Sequence, residues 1–83
     1  MQKFNAEISI ILRKGILDVQ GKAVEHALHS IEYQMISNVR IGKFVELSVE
    51  AESKEAGKKL VEEACKKLIA NPIIEDFIVI IKD

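Results

Sequence analysis

Strict alternation of residue types near the N-terminus is the feature that most constrains the fold. Within Lys3–Arg13 every second residue from Phe4 to Leu12 is apolar, and all the residues between them except Ile11 are polar or charged. Successive side chains of a β-strand point to opposite faces, so this segment is predicted to be a strand with one buried face. Such a strand needs neighbouring strands and a second layer that covers its apolar side.

Two helices are predicted from residues that can cap their first turns. Asp18 precedes a helix of about Val19–Tyr33, and Ser53 precedes one of about Lys54–Ala70. Both side chains can accept hydrogen bonds from the free N–H groups of a first helical turn. Pro72 ends the second helix. The apolar stripe of the first helix, expected to face a sheet, consists of Gln20, Val24, Ala27, Leu28 and Ile31.

Three further strands complete the predicted order. Ile36–Ile41 and Phe44–Ala51 flank the dipeptide Gly42-Lys43, where a glycine at the first turn position favours a type II′ hairpin. Ile74–Lys82 is β-branched and apolar on both faces and is predicted to be the last strand. The resulting order, β-α-β-β-α-β, predicts one α+β domain that spans residues 1–83. We expect the ferredoxin-like (split βαβ) fold, a four-stranded antiparallel sheet with two helices on one face.

The side of this sheet that the helices leave open is expected to be an interface between copies of the chain. A chain of 83 residues buries a smaller share of its surface than a larger domain does, and a contiguous apolar patch usually marks an interaction site. We therefore expect a homodimer or homotetramer. The predicted homo-oligomer sheet face consists of Ile11, Ile36, Phe44, Ile78 and Ile80.

Composition argues against several classes of protein. A formal net charge of -1 gives no electrostatic reason to expect binding to nucleic acid or to an anionic membrane. The longest apolar run, Phe77–Ile81, is far shorter than a membrane-spanning segment, and the N-terminus lacks the order of a signal peptide. We expect a cytoplasmic protein. The single Cys65 cannot form an intrachain disulfide, and no spacing of Cys and His predicts a metal site.

The polar residues do not form a recognisable catalytic set. His26 and His29 are predicted to lie on the solvent side of the first helix, with no third metal ligand at helical spacing. The turn from Gly15 to Gly21 matches neither common phosphate-loop motif. Arg40 could bind a carboxylate or phosphate with two hydrogen bonds, or could be an ordinary solubilising residue. The residues alone therefore indicate a small module that associates with partners and has no chemistry of its own.

Five linked segments form a recognisable set: Lys14–Asp18, Gln20–Val24, Ala27–Ser30, Asn38–Lys43 and Leu68–Phe77. Together they resemble the PurS family, the small subunit of phosphoribosylformylglycinamidine synthase (EC 6.3.5.3). The resemblance implies a non-catalytic subunit that joins two enzymes of de novo purine biosynthesis. These are a large ATP-dependent synthetase (PurL), which acts on formylglycinamide ribonucleotide, and a glutaminase (PurQ), which supplies ammonia from glutamine. ATP and magnesium would be bound by the large subunit, with no cofactor in this chain.

The same resemblance selects the residues expected to contact the partner enzymes. Two departures put the ends of the first helix in doubt: Val19 stands where the family often has proline, and Glu32-Tyr33 where it often has glycine. Neither departure falls on the residues selected. The partner-interface candidates are Lys14, Gln20, Gly21, Lys22, His29, Arg40, Lys43 and Asn71.

Other functions share this predicted topology. An ACT-like regulatory module would bind a small ligand between paired domains, and only the turn from Gly15 to Gly21 could form such a site. An RNA-binding domain would stack bases on aromatic residues of its central strands, where this chain offers Phe44 alone. An acylphosphatase-like enzyme would need an arginine-containing phosphate loop, which is not evident in Leu12–Asp18.

Overall fold

A computed structural model describes all residues from Met1 to Asp83. It contains three strands and two helices, and a π-helical turn at Cys65–Ile69 continues the second helix. The strands form one antiparallel sheet in the order β2-β1-β3. The elements are β1 (Gln2–Leu12), α1 (Val19–Ser30), β2 (Gly42–Ala51), α2 (Lys54–Ala64) and β3 (Glu75–Lys82).

The hydrophobic core lies between the sheet and α2. β1 is the central strand, and its Ile8 is fully buried opposite Val45 of β2 and Val79 of β3. The predicted alternation of β1 is confirmed, since its even-numbered residues from Phe4 to Ile10 are all buried. Ser53 caps α2 as predicted: its Oγ accepts from the Ala56 N–H at 3.1 Å. The core cluster consists of Ala6, Ile8, Ile10, Val61, Cys65, Ala70 and Val79.

The prediction of a four-stranded sheet is wrong, because Ile36–Ile41 forms no strand. Asn38 in this segment has a left-handed φ of 58°, which an extended strand does not accommodate. Two of its backbone N–H groups also bond to α1 and its cap. The Val39 N–H donates to Glu25 Oε1 at 3.1 Å, and the Ile41 N–H donates to Asp18 Oδ2 at 2.8 Å. The segment therefore runs along α1 instead of beside β2.

The predicted hairpin at Gly42-Lys43 is absent, because the segment before it forms no strand that could pair with β2. Gly42 is the first residue of β2 and pairs with Ile11 of β1. A Cβ at this position would lie 2.4 Å from the Ile10 carbonyl oxygen. Gly42 is therefore needed for close approach of two strands and not for a tight turn.

Both helices were expected to pack on the sheet, but α1 does not. Gly21 is its one buried residue, and of the stripe predicted to face the sheet Val24 is 40% exposed and Ile31 62% exposed. The helix ends at Ser30, earlier than predicted, and Glu32 just beyond it has a φ of 75°. We call residues 19–41, which comprise α1 and the segment that returns along it, the arm.

The arm gives the chain an elongated shape. The radius of gyration is 16.3 Å, whereas a compact domain of this length is expected to have one of about 12 Å. The molecule measures 52 × 25 × 14 Å along its principal axes. The apolar side chains of the arm are consequently left without a core of their own. Neither helix has the length and apolar character needed to span a bilayer.

The open face of the sheet carries four of the five predicted apolar residues. Ser9 of β1 lies between Phe44 of β2 and Ile78 of β3, so these three side chains share one face, and Ile11 and Ile80 follow by alternation. Phe44, Ile78 and Ile80 are at least half exposed. Ile36 was wrongly placed on this face, since it belongs to the arm. The other end of the same face, around Asn5, Glu46 and Ser48, is polar.

Candidate functional site

A cleft of about 450 Å³ lies where the arm joins the sheet. The loop between β1 and α1, the first turns of α1 and the end of the arm form its walls. Small-molecule sites have similar volumes but are mostly apolar. This cleft has three hydrophobic residues among the eleven that line it. Its charged side chains are Arg13, Lys14, Lys22 and Arg40, with the carboxylates Asp18 and Glu25.

Asp18 ties the two ends of the arm together. Its Oδ1 accepts from the Gly21 N–H at 2.9 Å, which caps α1 as predicted, and its Oδ2 accepts from the Ile41 N–H at 2.8 Å. The Gly21 N–H, then the Ile41 N–H and the Arg40 guanidinium, hold the pKa of Asp18 below its usual value of 3.8. Asp18 is therefore ionised at neutral pH and has both oxygens occupied.

Gly21 lets the arm fold back on itself. A Cβ at this position would lie 2.3 Å from the Val39 carbonyl oxygen and 2.7 Å from Asp18 Oδ2. No larger residue fits without displacing backbone. Gly21, predicted as a partner contact, is buried and holds the internal geometry of the cleft.

Two arginines fix the cleft to the end of β1. An Nη2 of Arg40 donates to the Leu12 carbonyl. Arg13 donates to the Pro72 carbonyl, and its Nε lies 3.3 Å from Asp76 Oδ1. Each guanidinium has five N–H donors, so both keep donors that these contacts do not use.

The two lysines of the cleft, Lys14 and Lys22, have no such role. Both are exposed, and neither takes part in an ion pair or a side-chain hydrogen bond. By contrast, Glu25 accepts from the Val39 N–H, so both carboxylates of the cleft already bind backbone donors. The side chains of the cleft that stay free to bind a ligand are thus positively charged.

Lys43 and Asn71 both contact Glu75, the first residue of β3. The buried Glu75 accepts from the Asn71 N–H at 2.7 Å through Oε1, and its Oε2 lies 3.5 Å from Lys43 Nζ. Asn71 Oδ1 in turn accepts from the Ile73 N–H at 3.1 Å. These contacts organise the turn that leads into the strand. Gln20 lies with Lys43 and Glu75 around a smaller hollow of about 130 Å³ beside the cleft.

His29 lies apart from the cleft. Its Nε2 is 2.7 Å from the Ile36 carbonyl oxygen, near the far end of the arm. It lies seven positions after Lys22, which corresponds to a rise of about 10 Å along the helix. The structure therefore brings together Lys14, Lys22 and Arg40 and does not join His29 or Asn71 to them.

Sequence reasoning missed three residues that shape the site. Arg13 was assigned only as the end of a strand, Glu25 carried no motif, and Glu75 lay within a family segment without being selected as a site residue. Each acts through a partner distant in sequence: Pro72 and Asp76 for Arg13, Val39 for Glu25. A local pattern contains no sign of such pairing.

Comparison with known proteins decides the family. The family described as PurS, phosphoribosylformylglycinamidine (FGAM) synthase, matches residues 5–83. The chain belongs to the PurS family. Its resemblance to that family, predicted from the linked segments, is confirmed. This match favours a PurS function over the ACT-like, RNA-binding and acylphosphatase-like alternatives.

Three PurS relatives show how far the similarity extends. A phosphoribosylformylglycinamidine synthase subunit PurS from Bacillus subtilis is 43% identical over 74 residues, 89% of this chain and 87% of the relative. A second relative is PurS from Methanocaldococcus jannaschii, one of the subunits of formylglycinamide ribonucleotide amidotransferase in the purine biosynthetic pathway. Its sequence is 32% identical to this chain. Its crystal structure matches 96% of both chains with a TM-score of 0.86. A chain in the structure of PurLQS from Thermotoga maritima is also 32% identical and covers 98% of this chain and 99% of that one, with a TM-score of 0.88.

Three of the five segments by which the chain resembles PurS proteins converge on the cleft. Lys14–Asp18 and Gln20–Val24 form its loop and first helical turns, and Asn38–Lys43 contains the end of the arm and the start of β2. They are distant in sequence but bound through Asp18, Gly21 and Val39. These three motifs therefore describe one structural site.

Chemically, this site is suited to binding. Its ionisable groups lie in an open cleft, without the enclosed nucleophile and base that catalysis by side chains requires. No cluster of three or more His, Cys, Asp or Glu residues could hold a metal ion. Cys65 is buried in the core, and burial, together with the charge of Glu62, raises the pKa of its thiol above the usual 9.0. Cys65 is therefore protonated at neutral pH and unsuited to nucleophilic attack.

Proposed function

We propose that this chain is the small, non-catalytic subunit of a phosphoribosylformylglycinamidine synthase complex in de novo purine biosynthesis. The observation that carries the proposal is the likeness to the PurLQS chain from Thermotoga maritima, which extends over 98% of the residues described here. The likeness extends over the arm as well as the sheet, which supports a common role.

The work of the subunit is to hold two enzymes in register. A large ATP-dependent synthetase and a glutaminase would bind to it, so that ammonia released from glutamine reaches formylglycinamide ribonucleotide without loss to water. ATP and magnesium would be bound by the synthetase. Alignment of two active sites requires a rigid, complementary surface and no reactive group, which agrees with the chemistry of the cleft. A cytoplasmic location stays a prediction.

Association between copies of the chain is the second part of the proposal. Large apolar side chains are exposed both on the open sheet face, as Phe44 and Ile78, and on the arm, as Ile31 and Met35. β2 also pairs on one side only and leaves an unprotected edge. Exposed apolar area of this extent favours a homodimer or homotetramer, in which a second copy would cover these surfaces.

The partner-interface candidates fall into two groups. Lys14, Gln20, Lys22 and Arg40 are exposed around the cleft and its neighbouring hollow, and we propose them as direct contacts. The others act within the chain, and their replacement would change the shape of the surface. These are Gly21, His29, Lys43 and Asn71.

Reconstitution tests the proposal. The purified chain is mixed with purified synthetase and glutaminase, and turnover of formylglycinamide ribonucleotide is measured with glutamine and, separately, with ammonium salt. We expect the chain to be needed for glutamine-dependent turnover and to co-elute with both enzymes. Full glutamine-dependent turnover without the chain, or turnover by the chain alone, would contradict the proposed function.

A further inference from the structure

The cleft at the base of the arm has an excess of positive charge in a chain whose formal net charge is -1. Four cationic side chains line it against two carboxylates. Asp18 and Glu25 are bound to backbone N–H groups, whereas Lys14 and Lys22 have no partner within the chain. Arg13 donates to the Pro72 carbonyl and is paired with Asp76, and Arg40 donates to the Leu12 carbonyl, but both guanidiniums keep free N–H donors. The cleft is thus a preformed site for anions.

The details favour carboxylates of a protein over a phosphorylated small molecule. A phosphate would be expected at the N-terminus of α1, but Asp18 already accepts from the Gly21 N–H there and would repel it. No aromatic residue lines the cleft, so a nucleotide base would have no platform. The cations are instead spread over three segments at an open rim, a spacing suited to several carboxylates on one chain.

We propose that this cleft binds an acidic segment of one of the two enzyme subunits, with carboxylates paired to Lys14, Lys22, Arg13 and Arg40. The inference rests on the proposed function, since the segment belongs to the synthetase or the glutaminase. It adds the chemistry of the contact. Cations fixed before binding, such as the two guanidiniums, lose little conformational freedom when the segment docks.

The test compares two double variants of the full chain. Lys14→Gln with Lys22→Gln removes two charges of the cleft without removing an internal contact. Lys58→Gln with Lys59→Gln removes two charges from the exposed side of α2 and serves as the matched control. Circular dichroism establishes that both variants fold. The dissociation constant for each purified enzyme subunit is measured by calorimetry at several salt concentrations, from about 50 mM to about 500 mM.

We expect the cleft variant to bind one enzyme subunit about tenfold more weakly than the wild-type chain at low salt, with a shallower dependence on salt. The control should stay within about twofold of the wild type. Equal affinities for the cleft variant and the control would overturn the inference while leaving the proposed function in place. A wild-type chain that binds neither subunit would overturn both.

A separate titration distinguishes a phosphorylated ligand. Inorganic phosphate is added to the isolated wild-type chain and to the cleft variant, and heat of binding is measured. We expect no saturable binding below about 1 mM, because the ionised Asp18 carboxylate caps the N-terminus of α1 and would repel a phosphate there. Saturable binding that the cleft variant loses would overturn the inference in favour of a phosphate site.

Discussion

Replacement of Gly21 by alanine should destabilise the chain, although the same change stabilises most helices. In an ordinary helix interior, alanine is more favourable than glycine by about 1 kcal/mol. Here the added Cβ would lie 2.3 Å from the Val39 carbonyl oxygen, so the arm must open or its backbone must shift. Overpacking of this kind costs about 3 kcal/mol at the upper end of its usual range. We therefore expect a net loss of about 2 kcal/mol in the free energy of unfolding.

Gly57→Ala is the matched control for this change. It lies in α2, where an added Cβ would meet Val49 Cγ1 at 3.4 Å and Ala51 Cβ at 3.6 Å, both ordinary contact distances. This variant should be neutral or gain up to about 1 kcal/mol. The two glycines thus predict effects of opposite sign.

Urea unfolding at a fixed chain concentration measures both effects, because association would otherwise change the apparent stability. Hydrogen exchange of the Val39 and Ile41 amides reports on the arm separately, and in Gly21→Ala these amides should exchange faster than in the wild type. If Gly21→Ala proved as stable as Gly57→Ala, the tight contact between α1 and the returning segment would be refuted.

Three further predictions follow from the charges and the burial. The pKa of Asp18 is lowered in the folded chain, so its contribution to stability is complete above the unfolded value of about 3.8 and is lost as the pH falls through the lower folded pKa. The protection of the Ile41 amide against hydrogen exchange should be lost over the same pH range, and Asp18→Asn should abolish this pH dependence of the protection. Ile78→Lys should lower the sedimentation mass of the proposed homo-oligomer, whereas Ser48→Lys at the polar end of the same sheet face should not, and an unchanged mass for both would exclude this face as the interface. Cys65 should react with a thiol reagent at pH 8 only after urea unfolds the chain, and rapid reaction of the folded chain would show that the thiol is accessible.

The elements whose signal is local were predicted well. β1 follows from its period of two, because a side chain of a strand reaches one face or the other whatever surrounds it. Asp18 and Ser53 cap their helices as predicted, since a cap needs only an N–H group three residues away. Membership of the PurS family was also predictable from the sequence, because several linked segments specify it together.

The site itself was only partly predictable. Lys14, Lys22 and Arg40 were selected through their resemblance to family motifs, and the structure gathers them in one cleft. Arg13 and Glu25 were not selected, because their partners lie far along the chain. His29 and Asn71 were selected but lie elsewhere, where their side chains bind backbone groups.

The amino-acid sequence by itself determined the type of most elements and the family of the chain. Tertiary structure alone decided where α1 and Ile36–Ile41 lie. An apolar stripe and a β-prone segment specify that a surface will be buried, but not against which surface. Here the Asp18 carboxylate accepts from the Ile41 N–H, 23 residues away, and holds the segment against α1 instead of beside β2. A choice between two hydrogen-bond partners so far apart depends on the whole fold.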